Sequence, residues 1–156
     1  AMSSLAHGTD YEFEKKRARD AISDGSAYNT LLRWIEAQGG DGEYLRNTEK
    51  FEKASYSYEI SADMDGYIGE VDAERIGLAA LTLGAGRHTK EDVIDPTAGI
   101  ILHKKPGDAV VRGDVIATLY SSDEVKLNEG AGELMAVINV TASPMDKSPL
   151  IHTIIR

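Results

Sequence analysis

Two glycine turns lie close together in the run Lys105-Pro106-Gly107-Asp108-Ala109-Val110-Val111-Arg112-Gly113-Asp114. Such a run makes a tight turn, points one valine inward, turns again and sends a strand back into a compact sandwich. The glycines occupy corners where the backbone must bend. Apolar stretches stand on both sides, Ile100-Ile101-Leu102 before the Pro106-Gly107-Asp108 turn and Val115-Ile116-Ala117-Thr118-Leu119 after it. Both read as strands.

Upstream, Tyr56, Tyr58 and Ile60 alternate with Ser57, Glu59 and Ser61, the period of a strand. Asp65-Gly66 turns the chain and Tyr67 to Val71 reads as a second strand. From Ala73 to Leu83 the apolar residues Ile76, Ala79, Ala80 and Leu83 follow helical spacing, while Leu78 and Leu81 fill the other sides. A helix apolar nearly all round is expected to be buried, and Gly84 and Gly86 close it. Asp123 to Val140 has a helix-like middle (Leu134, Met135, Val137, Ile138), weakened by about 1 kcal/mol at each of Gly130 and Gly132. Pro144 and Pro149 mark an irregular path, and Leu150 to Ile155 reads as a last strand.

The first third differs. Tyr11 to Ser23 is a charged helix in which Glu12 neighbours Lys16 and Glu14 neighbours Arg17. Gly25 ends it, and Ser26 is placed to cap a second helix with Leu31, Leu32 and Ile35 on one face and Trp34 beside them, stopped at Gly39-Gly40. Two short helices cannot enclose a core alone. The expectation is a lead-in segment over 1–53 and an α+β domain over 54–156. A residue ahead of Met2 is unusual at a native start, so the chain is expected to be a piece of something larger.

Composition narrows the function. The 156 residues are 42% hydrophobic and 28% charged, in the globular range, with a net charge of −9. That charge repels phosphate backbones and anionic lipid, so neither nucleic acid nor a membrane is expected as a partner. The absence of cysteine excludes a disulfide framework, thiolate zinc sites and a cysteine nucleophile. No apolar run has the length of a transmembrane helix and no secretory signal opens the chain, so a cytoplasmic protein is expected.

Candidate chemistry is sparse. Gly84-Ala85-Gly86-Arg87 resembles a phosphate loop in composition, but it follows a helix where phosphate loops precede one, so a C-cap is the simpler reading. His7, His88, His103 and His152 are scattered, without ligand spacing, and no metal or cofactor is expected. Asp92 and Asp95 before Pro96 read as a turn, as do Asp63 and Asp65 before Gly66. The Gly-Asp-x-Val-x-x-Gly run is shared with biotinyl and lipoyl carrier domains, which present a modifiable lysine on a hairpin. Lys126 is the candidate here, without the methionines that usually flank it.

Gly66-Tyr67-Ile68, Asp72-Ala73, Ile76-Gly77, Ala79-Ala80 and Leu83-Gly84-Ala85-Gly86-Arg87 resemble the C-terminal domain of pyrimidine-nucleoside and thymidine phosphorylases. The likeness continues through Lys90, Asp92, Ile94-Asp95, Gly99-Ile100, Leu102-His103, Lys105, Gly107-Asp108, Val110, Gly113 and Ala117-Thr118-Leu119. Ile35-Glu36-Ala37-Gln38-Gly39-Gly40-Asp41 looks like the segment leading into that domain. Ala98 and Tyr120-Ser121-Ser122 depart from the pattern. The resemblance implies an α/β-hammerhead, a barrel-sandwich-hybrid-like fold. It implies a homodimeric parent enzyme that converts a pyrimidine nucleoside and phosphate to the base and a pentose 1-phosphate by closing a cleft. The family's phosphate signature, Lys-His-Ser-x-Gly-Gly, and its base signature, Ser-Ile-Met-Ser-Lys-Lys, do not occur here. No catalytic residue is therefore carried over. The implied role is non-catalytic, with Gly86, Arg87 and His88 on a loop expected to face the cleft. A carrier modified at Lys126 and a stand-alone interaction module are the alternatives.

Overall fold

The protein is described from a computed structural model covering residues 2–87, 89–145 and 153. Its chain divides into two compact units that meet in sequence at Phe51–Glu52.

The first unit is helical: α1 (Met2–His7), α2 (Tyr11–Ser23), α3 (Ser26–Ala37), α4 (Glu43–Arg46) and a 3-10 turn at Thr48–Lys50. The two expected helices are α2 and α3; α1, α4 and the turn are additional. Glu14, 5% exposed, ties α1 to α2 by accepting from Ser3 Oγ (2.7 Å), Thr9 Oγ1 (2.9 Å) and Arg17 (3.1 Å). The Ser3 hydroxyl foremost, then Thr9 and Arg17, holds its carboxyl below the usual range despite burial. Glu12 pairs with Lys15, one step nearer than expected, because Lys16 is taken by Asp20 at 2.6 Å. Ser26 is not the cap of α3. Gly25, at φ 78°, holds the cap position, and Ser26 Oγ turns back to Ala21 O. Of the apolar face expected on α3 only Leu32 is buried, while Trp34 stays 60% exposed.

The second unit holds β1 (Tyr56–Ser61), β2 (Gly66–Ile68), α5 (Ala73–Ala80), β3 (Gly99–Leu102), β4 (Ala109–Val110), β5 (Val115–Ser121), α6 (Glu124–Met135) and β6 (Val140–Thr141). Strands β1 and β3 flank β5, both antiparallel, with Tyr58 opposite Leu119 and Ile100 opposite the same leucine. Strands β4 and β6 flank β2 in a smaller sheet. The architecture is α+β, as expected. Val110 is the inward valine of the double turn, 4% exposed, and Gly107 and Gly113 take the corners with positive φ.

Two apolar clusters fill this unit. The larger joins Ile60, Leu119, Leu83, Leu127 and Leu134, the last four at or near complete burial; each such leucine contributes about 2 kcal/mol. The smaller joins Ala62, Ile68, Val110 and Ile116, and Ile138 packs against both.

Three expectations change here. The expected helix Ala73–Leu83 is α-helical only to Ala80 and is not buried all round: Ile76, Ala79 and Leu83 face the core, but Leu78 remains 49% exposed. The second strand stops at Ile68, one in-register bond from Gly69 N to Asn139 O follows it, and Asp72 already caps α5. The Asp123–Val140 stretch is a regular helix to Met135, capped by Asp123 through Val125 N and Lys126 N. The expected strand Leu150–Ile155 lies outside the described residues.

Candidate functional site

Past α5 the chain widens into a π-helical turn, Leu81–Ala85, which contains Gly84 at φ 106°. This backbone angle suits glycine and few others. The turn opens onto the segment from Gly86 to Ile94, which carries the candidate Arg87; His88 lies outside the described residues. Gly86 is extended, and a side chain there would meet Leu81 Cδ2.

The base of this segment is a hydrogen-bonded knot built on Asp95. Its backbone N–H donates to Gly84 O at 2.9 Å. Its carboxylate accepts from Thr97 N (2.9 Å), Thr97 Oγ1 (2.7 Å) and Ser122 N (2.9 Å). Thr97 Oγ1 and Ser122 Oγ lie 3.0 Å apart. Next to them Ser121 Oγ, fully buried, donates to Leu83 O (2.8 Å) and accepts from Asp123 N, the cap of α6. Burial pushes the Asp95 carboxyl upward, but the bonds from Thr97 and Ser122 outweigh it and lower the value to about 2. The group is an anion at neutral pH.

This knot changes the reading of Arg87. A cation after a helix C-terminus has a sufficient role if it meets the last carbonyls. Here Leu83 O is satisfied by Ser121 and Gly84 O by Asp95. Arg87 is exposed and, among the described residues, makes no hydrogen bond or ion pair.

The other candidates are turn ties. Asp92 accepts from Thr89 N and Thr89 Oγ1, both at 2.9 Å. Asp65 accepts from Arg112 N (2.8 Å), and Asp108 from Lys105 N (2.8 Å). Asp114 accepts from Lys104 Nζ (3.0 Å) and Val111 N, and the lysine foremost keeps its carboxyl low. His103 Nε2 bonds Thr118 Oγ1 at 2.8 Å, and His7 Nδ1 sits 3.0 Å from Ser3 O. Lys126 stands in the first turn of α6, not on a hairpin, so it lacks the presentation a carrier lysine needs. A cavity of about 240 Å³ lined by Ile68, Val71, Ile76, Ile116 and Ile138 has one charged group at its wall, Lys104, already paired with Asp114. No described helix is long and apolar enough to cross a membrane.

Sequence reasoning placed Asp95 in a turn and missed its reach to Ser122. The local signal, an aspartate two before a threonine, was visible. The partner across the chain stood among residues noted only as a departure from the family pattern.

Residues 67–141 match the family described as pyrimidine nucleoside phosphorylase C-terminal domain. The chain is 40% identical over 132 residues to a pyrimidine-nucleoside phosphorylase of Geobacillus stearothermophilus, covering 85% of this chain and 30% of that protein. It is 46% identical over 103 residues to one from Staphylococcus epidermidis, covering 66% and 24% respectively. It is 38% identical over 143 residues to a thymidine phosphorylase of Metamycoplasma hominis, covering 91% and 52%. The chain thus spans between a quarter and about half of the length of these relatives.

Proposed function

We propose, from the premise that this chain carries a pyrimidine nucleoside phosphorylase C-terminal domain, that it serves as the non-catalytic C-terminal portion of such an enzyme. The reaction of the whole enzyme would join phosphate to a pyrimidine nucleoside and release the base and a pentose 1-phosphate. In this reading residues 54–156 form an α/β-hammerhead that supports the phosphate-binding domain. Residues 1–53 are the helical lead-in that belongs to that larger domain. The whole enzyme is a cytoplasmic homodimer whose partners are phosphate and nucleoside, with no nucleic acid or membrane.

The loop carrying Gly86, Arg87 and His88 is assigned to the face of the substrate cleft, where Arg87 helps hold the closed state. One observation carries this assignment: Arg87 is exposed while Ser121 and Asp95 already satisfy the carbonyls it would otherwise cap. A contact formed on closure lowers turnover more than it weakens ground-state binding. In the full-length phosphorylase carrying this domain, Arg87→Ala is therefore expected to lower kcat about tenfold, with phosphate KM and Tm nearly unchanged. Unchanged kcat would contradict the assignment.

A further inference from the structure

We propose that Asp95 is a positioning residue that clamps both ends of the loop carrying Arg87, the near end through its main-chain N–H and the far end through its carboxylate, a tie that can open without unfolding the two cores. The purpose of the clamp rests on the reading of Arg87 given above; the clamp itself rests on geometry.

The two ends of the loop are stitched to the fold through this one residue. At the near end its N–H holds Gly84 O, within the π-helical turn. At the far end its carbonyl accepts from Ala98 N (3.2 Å), and its carboxylate takes both polar hydrogens of Thr97. Its other carboxylate oxygen reaches across to Ser122 N, where β5 gives way to α6. Main-chain bonds alone would leave the return path of the loop free to swing about Gly84. The carboxylate supplies the third point that fixes it.

Between these ends the loop has little packing to hold it. Val93 is 85% exposed and Ile94 43%, and Thr89 and Asp92 bond each other. The larger core draws on Ile60, Ala79, Leu83, Leu119, Leu127 and Leu134, with Ala98 and Ile100 at its margin, and includes none of the described residues from 86 to 94. Opening the clamp should then release a local segment while the cores stay closed, the condition under which proteolysis reports local opening.

Trypsin offers the direct reading, because Arg87 and Lys90 lie inside the clamped segment while Arg112 and Lys126 lie outside it. Charge-assisted bonds are the strong ones, so in Asp95→Ala cleavage after Arg87 and Lys90 is expected to rise at least about tenfold. Cleavage after Arg112 and Lys126 is expected to hold at the wild-type rate. Thr97→Val removes only the hydroxyl ties to Asp95 and Ser122, and should fall between the two. Unchanged cleavage at Arg87 and Lys90 in a folded Asp95→Ala chain overturns the proposal, as does an equal rise at all four sites. If Asp95→Ala does not fold, the clamp is not separable from the cores and the proposal fails unless Thr97→Val shows the selective rise. These outcomes involve no phosphorolysis, so they separate failure of the clamp from failure of the Arg87 assignment.

Discussion

Gly130→Val is expected to lower the stability of the second unit by about 3 kcal/mol, read as a reduced urea midpoint at unchanged slope. Helix α6 crosses the end of α5 at this glycine. A Cβ there would stand 2.7 Å from Leu83 Cδ2, 2.8 Å from Leu83 Cγ and 3.3 Å from Ala79 O. A leucine at the surface could swing aside into solvent, but Leu83 is completely buried. The carbonyl of Ala79 is backbone and cannot yield. The two branches of valine then force the helices apart and open the larger core around Leu119 and Leu134. Gly132 is the internal control. It lies in the same helix, is exposed, and has nothing within 4 Å of its would-be Cβ. Gly132→Ala should therefore gain about 1 kcal/mol, the ordinary benefit of alanine over glycine in a helix. Equal effects at the two positions would show that propensity, not packing, accounts for Gly130.

Gly84→Val is expected to cost about 2–3 kcal/mol, measured the same way. At φ 106° a β-branched residue is strained whatever space surrounds it. Space is also short, since a Cβ would meet Asp95 Cβ at 3.3 Å. The substitution thus pushes on the same residue that ties the loop to Ser122, and it should raise tryptic cleavage at Arg87 along with the loss of stability. A midpoint unchanged within error would mean that the π-helical turn ends elsewhere. Because Gly84 adjoins Leu83, its effect and that of Gly130→Val should not add.

These positions show where the sequence was readable. Gly84, Gly107 and Gly113 announced their corners because turns impose local backbone demands that few residues meet. Strands β3 and β5 were visible as apolar runs between those corners. Helix α6 was obscure, since Gly130 and Gly132 read as two identical penalties. Only the crossing with α5 shows that one serves close packing and the other does not. The same limit hid the π-helical turn, the two-residue strand β6 and the Asp95–Ser122 bond, each set by a partner far away in sequence. At Ser26 the local signal misled: a good capping side chain stood one residue past the cap, and Gly25 took the position through its left-handed backbone. For the candidate site, the loop and its arginine are a proposal drawn from pattern and resemblance, while the bonds of Asp95 to Thr97 and Ser122 required the fold.

In the proposed role, the chemistry of the enzyme resides outside this chain. The most direct test is base release from uridine and thymidine by the purified 156-residue chain, followed by chromatography with and without phosphate. With neither the phosphate signature nor the base signature present, and no metal-binding cluster among the described residues, release should equal the enzyme-free blank in both buffers. Uracil or thymine released above the blank, and lost when phosphate is omitted, would place catalytic groups within this chain and contradict the account.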